Sequence, residues 1–253
     1  MYICPEATLL NVADNGTLMQ KMLLLCTQMQ NAISIFDIIG GKSPDSIHYL
    51  RDIKTFRNST GNNGLNYGTA YYPFIGTAIV QNDDIDYTIL FNGDVSQLAP
   101  IVNPSDNPNP ALAALLANIQ NPSSRLTIIQ NNNALLNASR DYGVIIKKVL
   151  NDANLLPASG GMAGVLTTAD NQWDVWRAPD NASIATAVSF PINLSGDQQA
   201  FLIVDPLTGK SINAIRSFKG VGIVVWGART LGGNSQDWRY LSVRQTLIFI
   251  EQS

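Results

Sequence analysis

Histidine is almost missing: His48 is the single one in 253 residues. One imidazole cannot build a histidine metal site, and any Ser–His or Cys–His pair would have to use it. It sits between Ile47 and Tyr49 in a helical stretch, and no Gly-x-Ser-x-Gly elbow occurs. A solvated or locally hydrogen-bonded ring is the better reading. Cysteine is scarce as well. Cys4 and Cys26 lack Cys-x-x-Cys spacing, which excludes a disulfide scaffold and leaves two reduced, buried thiols. Charge is thin: charged residues make up 14% of the chain, against roughly 25% in an ordinary domain. A net charge of -3 excludes a strongly basic nucleic-acid binder. Long apolar runs are missing too. Residues 22–26 and 221–228 are far shorter than the roughly 20 residues that span a bilayer, and residues 1–6 lack the basic and apolar regions of a signal peptide. These absences predict no catalytic residue, cofactor or metal, no nucleic-acid partner and no direct membrane insertion. They also predict a chain made and kept in the cytoplasm unless lysis releases it.

What is present is a hydrophobic fraction of 45%, enough for a core. Residues 3–10 read as a strand. Asp14 reads as a helix N-cap, followed by Leu18, Met22, Leu25, Cys26 and Met29 at helical spacing. Residues 32–39 form a buried-strand pattern closed by Gly40-Gly41, and a second helix follows from Ser43-Pro44-Asp45 through Phe56. Strand, helix, strand, helix predicts an α/β layer architecture. Residues 67–80 and 86–91 read as further strands, with Pro73 suiting a strand end. From residue 92 the composition shifts to Asn-Pro pairs and Asn runs, including Asn121-Pro122. Residues 92–153 therefore read as an insertion with short helices over 111–119 and 134–155, and without a second core. Beyond it, residues 157–169 read as a helix or turn, 187–194, 200–204 and 221–226 as strands, and 238–250 as a helix. The stripe of that last helix is Tyr240, Val243, Leu247 and Ile250.

Three patterns tempt a chemical reading. Gly209-Lys210-Ser211 ends like a phosphate loop, but Val204 stands where its first glycine is needed, so a turn between strands is the better reading. Asp83, Asp84 and Asp86 lack calcium-loop spacing and read as a solvated loop. Trp173, Trp176, Trp226 and Trp238 suit packing or an interface better than a base platform, which comes with a basic groove.

The last third carries a resemblance. Leu155-Leu156-Pro157-Ala158-Ser159-Gly160-Gly161 is followed by Val175-Trp176-Arg177-Ala178-Pro179-Asp180-Asn181 and by Gly209-Lys210-Ser211-Ile212-Asn213. Val225-Trp226-Gly227-Ala228-Arg229-Thr230-Leu231, Trp238-Arg239-Tyr240-Leu241-Ser242-Val243-Arg244 and Phe249-Ile250-Glu251 close the run, and Tyr67-Gly68-Thr69-Ala70-Tyr71-Tyr72-Pro73 stands upstream. In this order they resemble the tail sheath family of contractile phage tails, R-type pyocins and extracellular contractile injection systems. The resemblance covers roughly residues 5–80 and 155–253.

The resemblance implies the α/β (α+β) inner domain of a sheath subunit: one domain over residues 1–253 with a mixed sheet flanked by helices, plus the Asn/Pro-rich insertion. It implies a structural subunit that polymerises helically around an inner tube and contracts to drive the tube through a target envelope. Its partners are then other copies of itself, the inner tube protein, and baseplate and cap proteins. Assembly takes place in the bacterial cytoplasm, and the product is a phage tail or a released tail-like particle. Family members extend past both ends, so the chain is expected to be a fragment without the N- and C-terminal arms. Ser159, Thr168, Asp170, Asn171, Arg177, Arg229 and Arg244 are the expected inter-subunit or tube contacts. Two other classes remain open at this point: an α/β hydrolase of cell-wall glycans using acids near Asp83 or Asp205, and a carbohydrate-binding module using exposed tryptophans.

Overall fold

Pro5 cuts the first strand short. β1 is only Tyr2–Ile3, and the proline opens a 3-10 turn over Pro5–Leu9 where a strand is predicted. Asn11, not Asp14, caps the next helix: its Oδ1 accepts the Asp14 N–H at 2.9 Å, and Asp14 sits in the positive first turn. This helix, α1 (Val12–Met29), buries Met19, Leu23 and Cys26 at helical spacing. A computed structural model describes residues 1–45, 47–119, 124–178 and 181–252 of the chain. These fall into two compact units, residues 1–77 with 155–253, and residues 78–154.

In the first unit, β2 (Ser34–Asp37) and β3 (Gly68–Tyr72) flank helix α2 (Tyr49–Ser59) in sequence, and Pro73 follows directly at the end of β3. A small antiparallel pair, β4 (Ile75–Gly76) and β5 (Leu155–Leu156), brackets the second unit in sequence, with Gly76 opposite Leu155.

The second unit begins with 3-10 turns, where a strand is predicted over residues 86–91. Asp86 Oδ1 takes both the N–H and the hydroxyl of Thr88, bending the chain into the turn over Tyr87–Gly93. Helices α3 (Ala99–Val102), α4 (Pro110–Asn118), α5 (Arg125–Ala138) and α6 (Arg140–Ala153) follow. The Asn-Pro pairs have a use here: Asn109 Oδ1 accepts the N–H groups of Ala111 and Leu112, and Pro110 occupies the first helical turn. Asn121-Pro122 lies outside the described residues. Ser139 ends α5 and caps α6, splitting the single helix predicted over 134–155. The unit has its own apolar centre, in which Leu98, Ile119, Leu135 and Tyr142 are fully buried. The sequence pattern predicts no such core. The compact unit also reaches to residues 78 and 154 rather than 92 and 153. Asn154 closes it by bonding both the N–H and the C=O of Val80 at 2.9 Å.

After β5 come α7 (Ala158–Trp173), α8 (Gly196–Ile203), β6 (Asn213–Phe218), β7 (Gly222–Trp226) and α9 (Leu241–Gln252). Residues 200–203 are helical rather than a strand, and Val204 is the extended cap, because Ser195 and Gln198 form a reciprocal capping box that starts α8. Residues 187–194 hold one bridge, Gly76 to Ser189. The main sheet runs β1-β2-β3-β6-β7, parallel except for β7, which is antiparallel to β6. Its side chains alternate between two cores. Phe36, Ala70, Tyr72 and Ala214 meet Met19 and Leu23 of α1, Ile53 and Phe56 of α2, and Leu202 of α8. Ile35, Tyr71, Ile215 and Val225 meet Met162, Val165 and Leu166 of α7 and Leu241 of α9. The unit is thus a mixed sheet between two helical layers. Among the described residues no helix is long and apolar enough to cross a membrane.

The stripe predicted on the last helix faces outward. Tyr240, Val243 and Ile250 are exposed, while Leu241, Arg244 and Gln245 are buried.

Candidate functional site

The motif Trp226-Gly227-Ala228-Arg229-Thr230 leaves the end of β7 in a conformation only glycine tolerates. Gly227 has φ +147°, and a Cβ there would meet Asn213 Oδ1 at 2.7 Å. Asn213 is the latch. Fully buried, it donates to Thr69 Oγ1 and to the Arg229 carbonyl, both at 2.9 Å, and accepts the Arg229 N–H at 2.9 Å. Leu231 N–H then reaches the Gly68 carbonyl at 2.8 Å, and Thr230 Oγ1 donates to Trp238 O at 2.6 Å. The small residues therefore seat this segment on β3 and on the approach to α9. Asn213 lies inside one of the resemblance motifs, yet no sequence pattern marked it as the hub.

Arg229 projects from this turn into a groove of about 270 Å³ that Gln199, Ile203, Trp226, Gly227 and Tyr240 also line. Burial lowers the pKa of its guanidinium, and neighbouring Arg239 lowers it further. No carboxylate among the described residues forms an ion pair with it, and Nη1 donates to the Gly233 carbonyl at 3.5 Å.

Two predicted contact residues are interior. Arg244 is only 3% exposed. Its guanidinium lies 4.2 Å from the ring centre of Tyr67 and 4.1 Å from that of Trp238, and Nη1 donates to the Tyr67 hydroxyl at 3.1 Å. Ser159 is fully buried at the start of α7, its N–H donating to Asp37 Oδ1 at 2.9 Å. Neither can be a surface contact, because aromatic stacking claims the first and helix capping the second. Burial pushes the Asp37 carboxyl up to about 6, against the pull of hydrogen bonds from Ser159 and the Ala158 backbone.

The remaining contact candidates are accessible. Thr168 and Asn171 are exposed on the outer face of α7. Arg177 is exposed, with its guanidinium 4.5 Å from the Trp173 ring centre. Asp170 is half-buried, its carboxylate facing Gln245 Nε2 at 3.3 Å, and burial raises its pKa. The inner face of α7, with Met162, Val165 and Leu166, lies mainly over β1, β2 and β3 rather than over β7. Pro179 and Asp180 of the Val-Trp-x-Ala-Pro stretch lie outside the described residues.

The tempting motifs resolve into structure. Lys210 is 2% exposed and donates its ammonium to the Arg57 carbonyl, so the Gly-Lys-Ser sequence is no phosphate loop. Its turn joins α8 to β6 rather than two strands. Arg57, unmarked by any pattern, pairs with Asp205 at 3.6 Å and donates to Lys210 O, Phe201 O and Leu202 O. Asp205 is thereby an ion-pair partner, and its Oδ2 also accepts the Thr208 N–H at 3.1 Å. Asp86, expected in a solvated loop, is buried and pairs with Arg125 at 2.6 Å. His48 is locally bonded, Nδ1 lying 3.0 Å from Asp45 Oδ2, at the start of α2 rather than within it. Cys26 is buried and Cys4 only partly so. Trp226 packs against Phe218 at 4.6 Å. Among the described residues no three or more His, Cys, Asp or Glu side chains gather as a metal site.

No protein-family model and no curated protein matches the chain. Solved structures do. The chain is similar to a chain of the anti-feeding prophage (AFP) baseplate in contracted state, with 18% identity and a TM-score of 0.55 over 98% of this chain and 45% of that one. It is similar to a chain of the six-fold symmetrised AFP baseplate, with 18% identity and a TM-score of 0.51 over 96% of this chain and 41% of that one. A chain of the AFP helical sheath in contracted state gives 20% identity and a TM-score of 0.50 over 94% and 41%. The chain therefore spans less than half the length of the chains it matches. By its mixed α/β architecture, this protein has the fold found in chains of contractile sheath and baseplate assemblies.

Proposed function

We propose that the chain is part of a structural, non-catalytic subunit of a contractile sheath. Copies wrap helically around an inner tube, and contraction drives the tube through a target envelope. The observation that carries this reading is the likeness to a chain of a contracted helical sheath over 94% of this chain. The ordered sequence motifs around Trp176 and Trp226 support it independently. Function then resides in a contact surface with two stable arrangements rather than in a reaction, and head-to-tail contacts that do not close on themselves give helical polymers. Copies of the chain, the inner tube protein, and baseplate and cap proteins are the partners. Assembly in the bacterial cytoplasm precedes incorporation into a tail or tail-like particle.

The accessible part of α7, with Thr168 and Asn171, and nearby Arg177 are our tube-contact candidates. A contact that must release on contraction is best modest and partly polar, as theirs is. Immunogold electron microscopy of tail-like particles from producing cells, with antibody raised against this chain, tests the reading. Gold along the striated sheath is expected; particles that stay unlabelled while the protein remains dispersed overturn it. Replacing Thr168 and Asn171 with bulky or charged residues should preserve the melting temperature and block assembly around tubes. Assembly that survives such replacement removes the tube-contact assignment.

A further inference from the structure

A second groove, of about 230 Å³, opens beside the residues that lead into β1 and β2. Asp170, Val175, Gln245, Ile248 and Phe249 line it, and its whole lining belongs to the first unit. Three helices end there. Asn31, two residues past the end of α1, lines the groove; Asp170 stands in the last turn of α7; Phe249 and Gln252 stand in the last turn of α9. A helix C-terminus carries partial negative charge, which a basic residue in the last turn offsets. None of the three helices has one, and α7 places the acid Asp170 there instead.

The acceptors of this groove lack donors. Asp170 forms no ion pair among the described residues, and its carboxylate meets Gln245 Nε2 at 3.3 Å. Arg177, the nearest cation along the chain, lies over the Trp173 ring instead. Gln245 is 8% exposed, and its Oε1 is buried with no hydrogen-bond partner among the described residues. A guanidinium is a planar fork of five donors and serves two such acceptors at once. The terminal amide of a glutamine turns readily about its last torsion, which brings Oε1 round to the same fork. Half-buried Val175 and Ile248 and exposed Phe249 supply an apolar wall, against which the methylene stem of an arginine packs. A small free cation would leave that wall wet, so the fitting ligand is a side chain carried by a polypeptide.

We propose that this groove binds an arginine side chain presented by an apolar segment of a partner protein, with the guanidinium on Asp170 and Gln245 and the stem along Val175, Ile248 and Phe249. The inference goes beyond the sheath reading and does not rest on it.

NMR titration of the 253-residue chain with a blocked peptide, one arginine between two leucines, tests it. Shifts are expected at the Gln245 side-chain amide and at the Val175 and Ile248 backbone amides. The same peptide with citrulline, which keeps the shape but not the charge, should bind at least about tenfold more weakly, as should N-acetylarginine amide, which lacks the leucines. Asp170→Asn should lower affinity for the arginine peptide at least about tenfold. It should leave the melting temperature unchanged or higher, because it removes an unpaired acid from a helix C-terminus. The citrulline comparison uses the unaltered chain, so it decides the matter even where Asp170→Asn fails to fold. Absence of shifts at millimolar peptide, equal binding of the citrulline peptide, or unchanged affinity of Asp170→Asn each overturns the proposal. Equal binding of N-acetylarginine amide overturns a polypeptide as the ligand. A lower melting temperature of Asp170→Asn would show that the fold already satisfies the carboxylate, and overturns the proposal as well.

Discussion

Asp37 gives the sharpest stability test. Its carboxyl is 7% exposed at the end of β2 and accepts the Ser159 N–H at the start of α7. Burial moves it from 3.8 to about 6. Because the folded-state value is raised, the folded protein holds this proton between about pH 4 and 6 while the unfolded chain has released it. Stability from this group is then greatest below the unfolded value and falls as pH rises through 6. The integrated loss is on the order of 3 kcal/mol by pH 7.5. Asp37→Asn keeps an oxygen acceptor for Ser159 N–H but cannot ionise, so it should escape that loss. All four tryptophans lie in the first unit, so urea denaturation followed by tryptophan fluorescence reports that unit alone. The stability of the asparagine variant minus that of the wild type should grow as pH goes from 4.5 to 7.5, reaching on the order of 2–3 kcal/mol. Parallel pH profiles, or an asparagine variant less stable than wild type at pH 7.5, would refute a carboxyl destabilised by burial.

Other outcomes follow from packing. Arg244→Ala should cost about 2–4 kcal/mol by chemical denaturation, since the buried Tyr67 ring and the half-buried Trp238 ring lose their cation; Arg244→Lys should recover less than half of that, because an ammonium lacks the planar face that lies between the two rings. Gly16→Ala should destabilise by about 1–3 kcal/mol despite alanine's better helix propensity, since the new Cβ would lie 2.9 Å from Ser59 Cβ and O where α1 crosses α2; a rise in melting temperature would contradict this. Replacing residues 78–154 with a two-residue turn should leave the first unit folded with native-like tryptophan fluorescence, because Gly76 and Leu155 already face each other in an antiparallel pair; loss of cooperative unfolding would show that the segment is core.

How far the sequence can be read depends on where each element's information lies. The helices α1 and α2 and the strands β2, β3 and β7 follow local rules: helical spacing, a buried β-branched run, glycines at the ends. The pattern failed where a side chain redirected the backbone. Pro5 turned a strand into a 3-10 turn, Asp86 did the same by gripping Thr88, and the Ser195–Gln198 box turned an apolar run into α8. The helix over 238–250 was legible, but its buried face was not. Burial of Arg244 depends on Tyr67, distant in sequence, and the apolar Tyr240–Ile250 stripe was left outside. Arg229 could be named from its motif, whereas Asn213 and Arg57 act through partners far along the chain or on carbonyls, which no spacing reveals.

Strand order has a consequence during synthesis. β3 pairs with β2 as soon as both have left the ribosome, but its other edge waits for β6, about 140 residues later. At roughly 5–20 residues per second, that edge stays open for about 7–30 s. Over that interval the nascent chain presents an unpaired strand edge at β3, the segment that includes Tyr71 and Tyr72, and such edges recruit whatever strand is nearest. Chains made on crowded polysomes would therefore meet their neighbours' open edges before their own β6, so the yield of folded protein should fall as expression density rises.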